Sequence, residues 1–259
     1  MMSRDEINGS PSTRSSVDRI NWALVVPMAN EEKDFTPYIR ELIKELDEIH
    51  SGKVYLVVDT VSTDRTLDLC EKLAQQDPRF VTVWAPETKH LAQAYQRGYL
   101  EAFKRGHEYI LEMDAGLSHD PRALPFFLEK LSEGIPCVWG SRFVTGGSMK
   151  ESPAKRRLLS KGGTVLANFL LGTRLHDMTS GYQGFHRNIV ERFMNYPLKS
   201  RAHFYQTELR YLLRKYPSVE VPIHYKAPSP RVSEKSIVNS LQTLFYYFWR
   251  RITFRAVTL

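Results

Sequence analysis

Val54-Tyr55-Leu56-Val57-Val58-Asp59 is the stretch on which the fold turns. Five apolar residues run without interruption into an acid. An unbroken run of this kind, rich in β-branched and aromatic residues, reads as a strand buried on both faces, as in parallel sheets. The same design recurs on either side of it. Ala23-Leu24-Val25-Val26-Pro27 leads to Asn30-Glu31-Glu32, and Tyr109-Ile110-Leu111 leads past Glu112 and Met113 to Asp114. Helical spacing fills the intervals: Ile39, Leu42, Ile43, Leu46 and Ile49 recur at three and four, and Leu67, Leu69, Cys70 and Leu73 form a shorter stripe. Strands alternating with helices predict an α/β fold, a mostly parallel sheet with helices on both faces. Ligands of such sheets bind outside the carboxyl ends of the strands. The acids therefore mark a site for a polar ligand, with room for a metal.

Working outward, strands are expected at 22–26, 54–58, 80–84, 109–113, 136–139, near 182–186 and at 219–225. Helices are expected at 36–49, 66–75, 91–105, 121–131, 155–171, 204–215 and 237–254. Ser51-Gly52, Asp77-Pro78 and Gly106 supply stops, and Asp120-Pro121 opens a helix because proline suits a first turn. Residues 140–152 and 172–183 read as loops. No internal repeat is present.

The 259 residues, 42% hydrophobic and 25% charged, are enough for a sizeable core. The division expected is a disordered polar tail at 1–19, one domain at 20–227, and a basic loop with an amphipathic helix at 228–259. The tail lacks the apolar core of a signal peptide, and no run approaches the roughly 18 apolar residues of a membrane span. Cys70 and Cys137 fit no metal spacing and read as core cysteines of a reducing compartment. The net charge of +7 leaves anionic lipid, phosphate-bearing substrate and nucleic acid open as partners. His90, His107, His176, His186 and His203 show no ligand spacing.

Six motifs in order then give a resemblance covering about residues 21–225. Val26-Pro27-Met28-Ala29-Asn30-Glu31 looks like VPxYNE, and Val58-Asp59-Thr60-Val61-Ser62-Thr63-Asp64-Arg65-Thr66 like VDDGSTDGT. Met113-Asp114-Ala115-Gly116-Leu117-Ser118-His119-Asp120-Pro121 looks like MDADLQHDP. Gly140 to Gly147 looks like GSRYVKGG, Arg156 to Gly162 like RRLISRG, and Asp177 to Tyr182 like DPTSGF. The chain resembles family 2 glycosyltransferases of the GT-A fold, the nucleotide-diphospho-sugar transferase fold. Within them it resembles the polyprenol-phosphate (dolichol-phosphate) mannose and glucose synthases.

What this resemblance implies is an inverting transferase that moves a hexose from a nucleotide-diphosphate sugar, of GDP-mannose or UDP-glucose type, to a polyprenol phosphate. It implies that Pro27, Asn30, Glu31 and Asp59 hold the nucleoside, and that Asp114 holds Mg2+ or Mn2+ on the diphosphate. It implies acceptor-phosphate contacts from Arg142, Arg156 and Ser160, with Asp177 near the reacting centre and Gln206 and Glu208 lining the site. Arg231, and more weakly Lys235, would close over the diphosphate. Two departures stand out: Gly116 replaces the second acid of Asp-x-Asp, and Thr60 the second of Asp-Asp. Strand alternation points Glu112 to the face of Asp114, which makes it a stand-in metal ligand. Asp64, just ahead of a helix, reads as a cap.

Arg156 and Ser160, four apart, share one helix face, and the arginine fork suits a phosphate. Leu241, Leu244, Phe245, Phe248 and Trp249, followed by Arg250 and Arg251, make an apolar stripe with a basic end. It suits either packing on the domain or docking on an anionic membrane surface, which would place the protein peripherally on the cytoplasmic membrane face. Alternatives are another acceptor (a polysaccharide, a glycolipid or a nucleic-acid base) or a degenerate, non-catalytic nucleotide-sugar-binding protein. A bare nucleic-acid-binding module has no supporting basic-aromatic motif.

Overall fold

A computed structural model describes residues 20–116, 118–226 and 234–259. The expected tail at 1–19 and Arg231 lie outside the described residues. Strands β1 (Trp22–Met28), β2 (Lys53–Val58), β3 (Phe80–Trp84) and β4 (Tyr109–Glu112) alternate with helices α1 (Phe35–Ile49), α2 (Thr66–Gln76) and α3 (Leu91–Lys104). A short 3-10 turn (Pro121–Ala123) and α4 (Leu124–Ser132) follow, then β5 (Cys137–Ser141), α5 (Ala154–Leu171), β6 (Gln183–His186) and α6 (Arg187–Met194). Helix α7 (Phe204–Leu212), β7 (Ser218–Pro222) and α8 (Glu234–Ile252) complete the order.

The seven strands form one mixed sheet, in the order β3-β2-β1-β4-β6-β5-β7. Strand β1 pairs in parallel with β2 and β4, and β2 with β3. Strand β6 runs antiparallel between β4 and β5, and β7 lies parallel to β5. The buried runs read from sequence are thus central strands, with Val54 to Val58 closed off on both faces. On one face Trp22, Leu24 and Val26 pack with Tyr38, Leu42 and Leu46 of α1, Cys70 of α2, and Leu124, Phe127 and Leu131 of α4. On the other, Val25, Tyr55 and Val57 pack with Tyr95 and Tyr99 of α3, Phe193 of α6, and Tyr205 and Leu209 of α7.

A third cluster joins α5, α7 and α8 through Ala167, Leu170, Leu171, Tyr211, Leu212, Leu244 and Tyr247. Arg251 donates to the Phe169 and Leu170 carbonyls at the end of α5 (3.1 and 2.9 Å), so α8 is fastened to α5 as well as packed on it. Both cysteines are buried and free. Among the described residues no helix is long and apolar enough to cross a membrane.

Candidate active site

Strands β1, β2 and β4 all end on one sheet edge, so their carboxyl-end residues meet there. Asn30, at φ 58°, works as a clamp between two of these loops. Its side-chain amide donates to the Val61 carbonyl (3.0 Å), its Oδ1 accepts from Thr63 N–H (2.9 Å), and its N–H donates to Ser62 Oγ (3.1 Å). Asp59 shapes the same loop. Its Oδ1 accepts from Val61 N–H at 2.9 Å, and its Oδ2 from the Thr88 hydroxyl at 3.3 Å beyond β3. Pro27 is buried within β1. Asp64, expected as a cap, accepts from Thr66 N–H and its hydroxyl at the start of α2, and also from Glu32 N–H.

Glu31 reaches the middle of this edge. Its N–H is held by Thr66 Oγ1 at 2.8 Å. Burial, then the neighbouring Asp34, Asp64 and Asp114, push its carboxyl up to about 7. Asp114 follows β4 and is 21% exposed at its side chain. The Tyr95 hydroxyl of α3 donates to its Oδ1 at 2.6 Å, and His119 Nδ1 lies 3.6 Å from Oδ2. Burial opposes its ionisation, but His119, His203 and the Tyr95 hydroxyl outweigh burial and hold the carboxyl below its usual range. Gly181 allows the approach: a Cβ there would stand 2.7 Å from Asp114 Oδ2 and 2.8 Å from Gln206 Nε2.

Glu112 corrects an expectation. It is fully buried, accepts from Tyr99 and Tyr205 hydroxyls on Oε2 and from Gln206 Nε2 on Oε1, and presents nothing to a metal. Burial pushes its carboxyl up to about 8. Its work is to hold Gln206, which also donates to the Gly181 carbonyl at 3.2 Å, beside Asp114. Glu208, expected to line the site, is instead an anchor. Fully buried, it accepts from Lys199 and Ser200 N–H groups and from the Tyr247 hydroxyl of α8.

Arg142 and Asp177 meet in a buried pair, with Nε to Oδ2 at 2.7 Å and Nη2 to Oδ1 at 2.8 Å. Nη2 also donates to Thr179 Oγ1 at 2.6 Å. Burial disfavours the Asp177 charge, but the Arg142 charge and hydrogen bonds overcome it and hold the carboxyl down at about 2. Asp177, expected near the reacting centre as a catalytic residue, is instead fully buried with both carboxylate oxygens on Arg142, an arrangement that suits holding the guanidinium and not acting as a base. Arg142 keeps Nη1 without a hydrogen bond among the described residues.

The Tyr225 ring brings the remaining parts together. The Arg142 and Arg156 guanidinium carbons lie 5.7 and 5.8 Å from its centroid, and Arg156 Nη2 donates to its hydroxyl at 3.3 Å. His119 packs on the same ring at 5.6 Å. Ser160, one turn after Arg156, is partly exposed, and Lys235 is exposed in the first turn of α8. Tyr225 and His119 thus link two guanidiniums suited to a phosphate with a carboxylate suited to a metal-bound diphosphate. For the metal, Mg2+ is usually held by one or two carboxylates plus substrate phosphates. Asp114 fits that role, although no set of three protein ligands is assembled among the described residues. Sequence reasoning missed Tyr95, Tyr225 and the neighbouring His203, none of which carries a spacing signal.

The description of glycosyl transferase family 2 matches residues 23–194. A polyprenol monophosphomannose synthase of Mycolicibacterium smegmatis is 32% identical over 225 residues, 86% of this chain and 83% of that protein. An undecaprenyl-phosphate mannosyltransferase of Micrococcus luteus is 31% identical over 172 residues, 66% and 70% of the two chains. Glucosyl-3-phosphoglycerate synthase from Mycobacterium tuberculosis, in complex with Mn2+, UDP and glucosyl-3-phosphoglycerate, superposes with a TM-score of 0.63 at 16% identity. It covers 92% of this chain and 82% of that one. The same enzyme with Mg2+ and UDP gives 0.61 at 17% identity, with 93% and 82% covered. These structures establish the likeness of fold.

Proposed function

We propose, for a chain that belongs to glycosyl transferase family 2 and is a glycosyltransferase of the GT-A fold, that it moves a hexose from a nucleotide-diphosphate sugar to a polyprenol phosphate. The observation that carries this reading is the Tyr225 cluster, which sets Arg142 and Arg156 beside the His119–Asp114 pair. The named activities of the M. smegmatis and M. luteus relatives support the acceptor, and support mannose as the sugar over glucose.

An oxygen of the acceptor phosphate forms a bond to the anomeric carbon. The bond from that carbon to the nucleoside diphosphate breaks, its electron pair leaves with the diphosphate, and the configuration inverts. A phosphate is anionic at neutral pH, so the nucleophile needs orientation and not deprotonation. Arg142 Nη1, Arg156 and Ser160 hold it, and Asp177 fixes the Arg142 fork through two of its nitrogens. Asp114, held by Tyr95 and Gln206, carries the Mg2+ or Mn2+, which when bound offsets charge gathering on the leaving group. The loops joined by Asn30, with Asp59, frame the nucleoside, and Arg231 belongs to the donor side.

The lipid acceptor is reached at the cytoplasmic face of a membrane, with the protein peripheral. Supporting this, α8 turns Leu244 and Tyr247 inward and leaves Phe245 and Trp249 exposed, and α5 exposes Leu158, Leu159 and Phe169. The test incubates full-length protein with GDP-mannose and UDP-glucose, polyprenol phosphate and Mn2+. Lipid-linked sugar from one donor, lost in Asp114→Asn and requiring more acceptor in Arg156→Ala, is expected. Nucleotide binding with no lipid product from either donor would overturn the reading.

A further inference from the structure

The acid missing at position 116 leaves a gap that another part of the chain fills. Gly116 has φ 74°, and the side-chain atom nearest to the place its Cβ would occupy is Glu31 Oε2, at 3.3 Å. A carboxylate from the end of β1 therefore stands where a side chain at 116 would extend. The Glu31 backbone is pinned to Thr66 at 2.8 Å, and its carboxylate lies against Gly116, two residues on from Asp114. Carboxyl groups from two different loops are thus brought to one place, and hard oxygen ligands of that kind suit a small divalent cation.

A second observation points to the same place. His119 is 2% exposed, its Nδ1 has no hydrogen-bond partner, and that nitrogen is aimed at Asp114 Oδ2 from 3.6 Å. A buried polar nitrogen left without a hydrogen bond is costly. Metal-binding carboxylates are themselves held from behind by such partners. Tyr95 already does this for Oδ1, and His119, with Nδ1 3.6 Å from Oδ2, is placed to do it there.

We infer that Asp114 and Glu31 together hold the divalent cation, with Glu31 supplying from the β1 loop the carboxylate that Gly116 lacks. The cation's other ligands are diphosphate oxygens and water. This rests on the nucleotide-sugar reading above, and moves Glu31 from nucleoside contact to metal ligand.

The test is Mn2+ binding, read from the loss of the free-ion EPR signal in the presence of GDP or of UDP. Glu31→Gln should weaken Mn2+ roughly 10- to 100-fold. Glu31→Ala combined with Gly116→Asp should recover most of that loss, since alanine vacates the space the Glu31 carboxylate fills and aspartate tolerates a left-handed backbone. Thermal unfolding verifies that each variant is folded, and the recovery in the double variant separates a ligand from a merely structural glutamate. Mn2+ held as tightly by Glu31→Gln as by the natural chain, no recovery in the double variant, or nucleotide binding without Mn2+ would each overturn this inference alone. A natural chain that takes neither GDP nor UDP would overturn the nucleotide-sugar reading and this inference with it.

Discussion

Gly181 has no room for a side chain unless Asp114 moves. A Cβ at 2.7 Å from Oδ2 pushes the carboxylate out of line, and a misplacement of about 1 Å costs on the order of 100-fold in rate. Gly181→Ala should therefore lower turnover by at least ~10-fold while the protein stays folded, a split read by kinetics beside a melting curve. At Arg142 and Asp177 the expected loss is in stability. Removing one partner of a buried pair costs about 3–5 kcal/mol, so Asp177→Ala should shift urea unfolding by that order. The Asp177 carboxyl is lower in the folded chain than in the unfolded one, where it lies near 3.8. Its contribution is present above that value and fades as pH falls toward about 2. Stability measured from pH 5 to pH 2 should fall less steeply in Asp177→Asn than in the natural chain. Asp114, Arg142, Arg156 and Asp177 were named from short motifs, but the pairing of Arg142 with Asp177 was not read there, because no motif says which distant side chains will meet. Tyr95 and Tyr225 were not, because a helical or strand pattern says that a tyrosine is buried but not which distant group its hydroxyl or ring will meet. Glu208 shows the opposite error: the resemblance put it in the lining of the site, while its three donors make it an anchor.

At the scale of elements, Gly98 decides how closely α3 lies on the sheet. A Cβ there would come within 2.2 Å of Val25 Cγ1 and 2.9 Å of Val57 Cγ2. Gly98→Ala should destabilise by about 1–3 kcal/mol through overpacking, despite alanine's better helix propensity, as measured by denaturant titration. The long periodic helices and the buried parallel strands were readable from spacing. Helix α6 was missed because its buried Ile189, Val190 and Phe193 span two turns and follow β6 with no loop to announce them. The antiparallel direction of β6 was equally hidden, since four residues carry no sign of their partner's direction. Strand β5 runs past the glycine that suggested a loop. Gly140 N–H donates to the Tyr182 carbonyl, and a Cβ at Gly140 would stand 2.8 Å from that oxygen.

Over the whole molecule, a net charge of +7 is combined with two adjacent helices that turn large apolar residues outward. If these helices meet a membrane, Phe245→Ser with Trp249→Ser should release the protein from anionic vesicles in a sedimentation assay. Raising the salt should weaken binding of the natural chain, as charges near a surface are screened. Charge and the C-terminal stripe were visible in the sequence. The outward face of α5 was not, because its apolar residues spread around the helix and only the packed structure shows which of them are covered. Helix α5 carries Arg156 and Ser160 near one end and exposed leucines beside them, along a rod of 18 residues, about 27 Å. On the function proposed above, phosphate recognition and contact with the lipid phase would share one rigid part. An enzyme arranged this way meets its acceptor by lateral diffusion in two dimensions, so diluting the acceptor with inert lipid at constant total amount should slow turnover, while diluting the vesicles in buffer should not once the protein is bound.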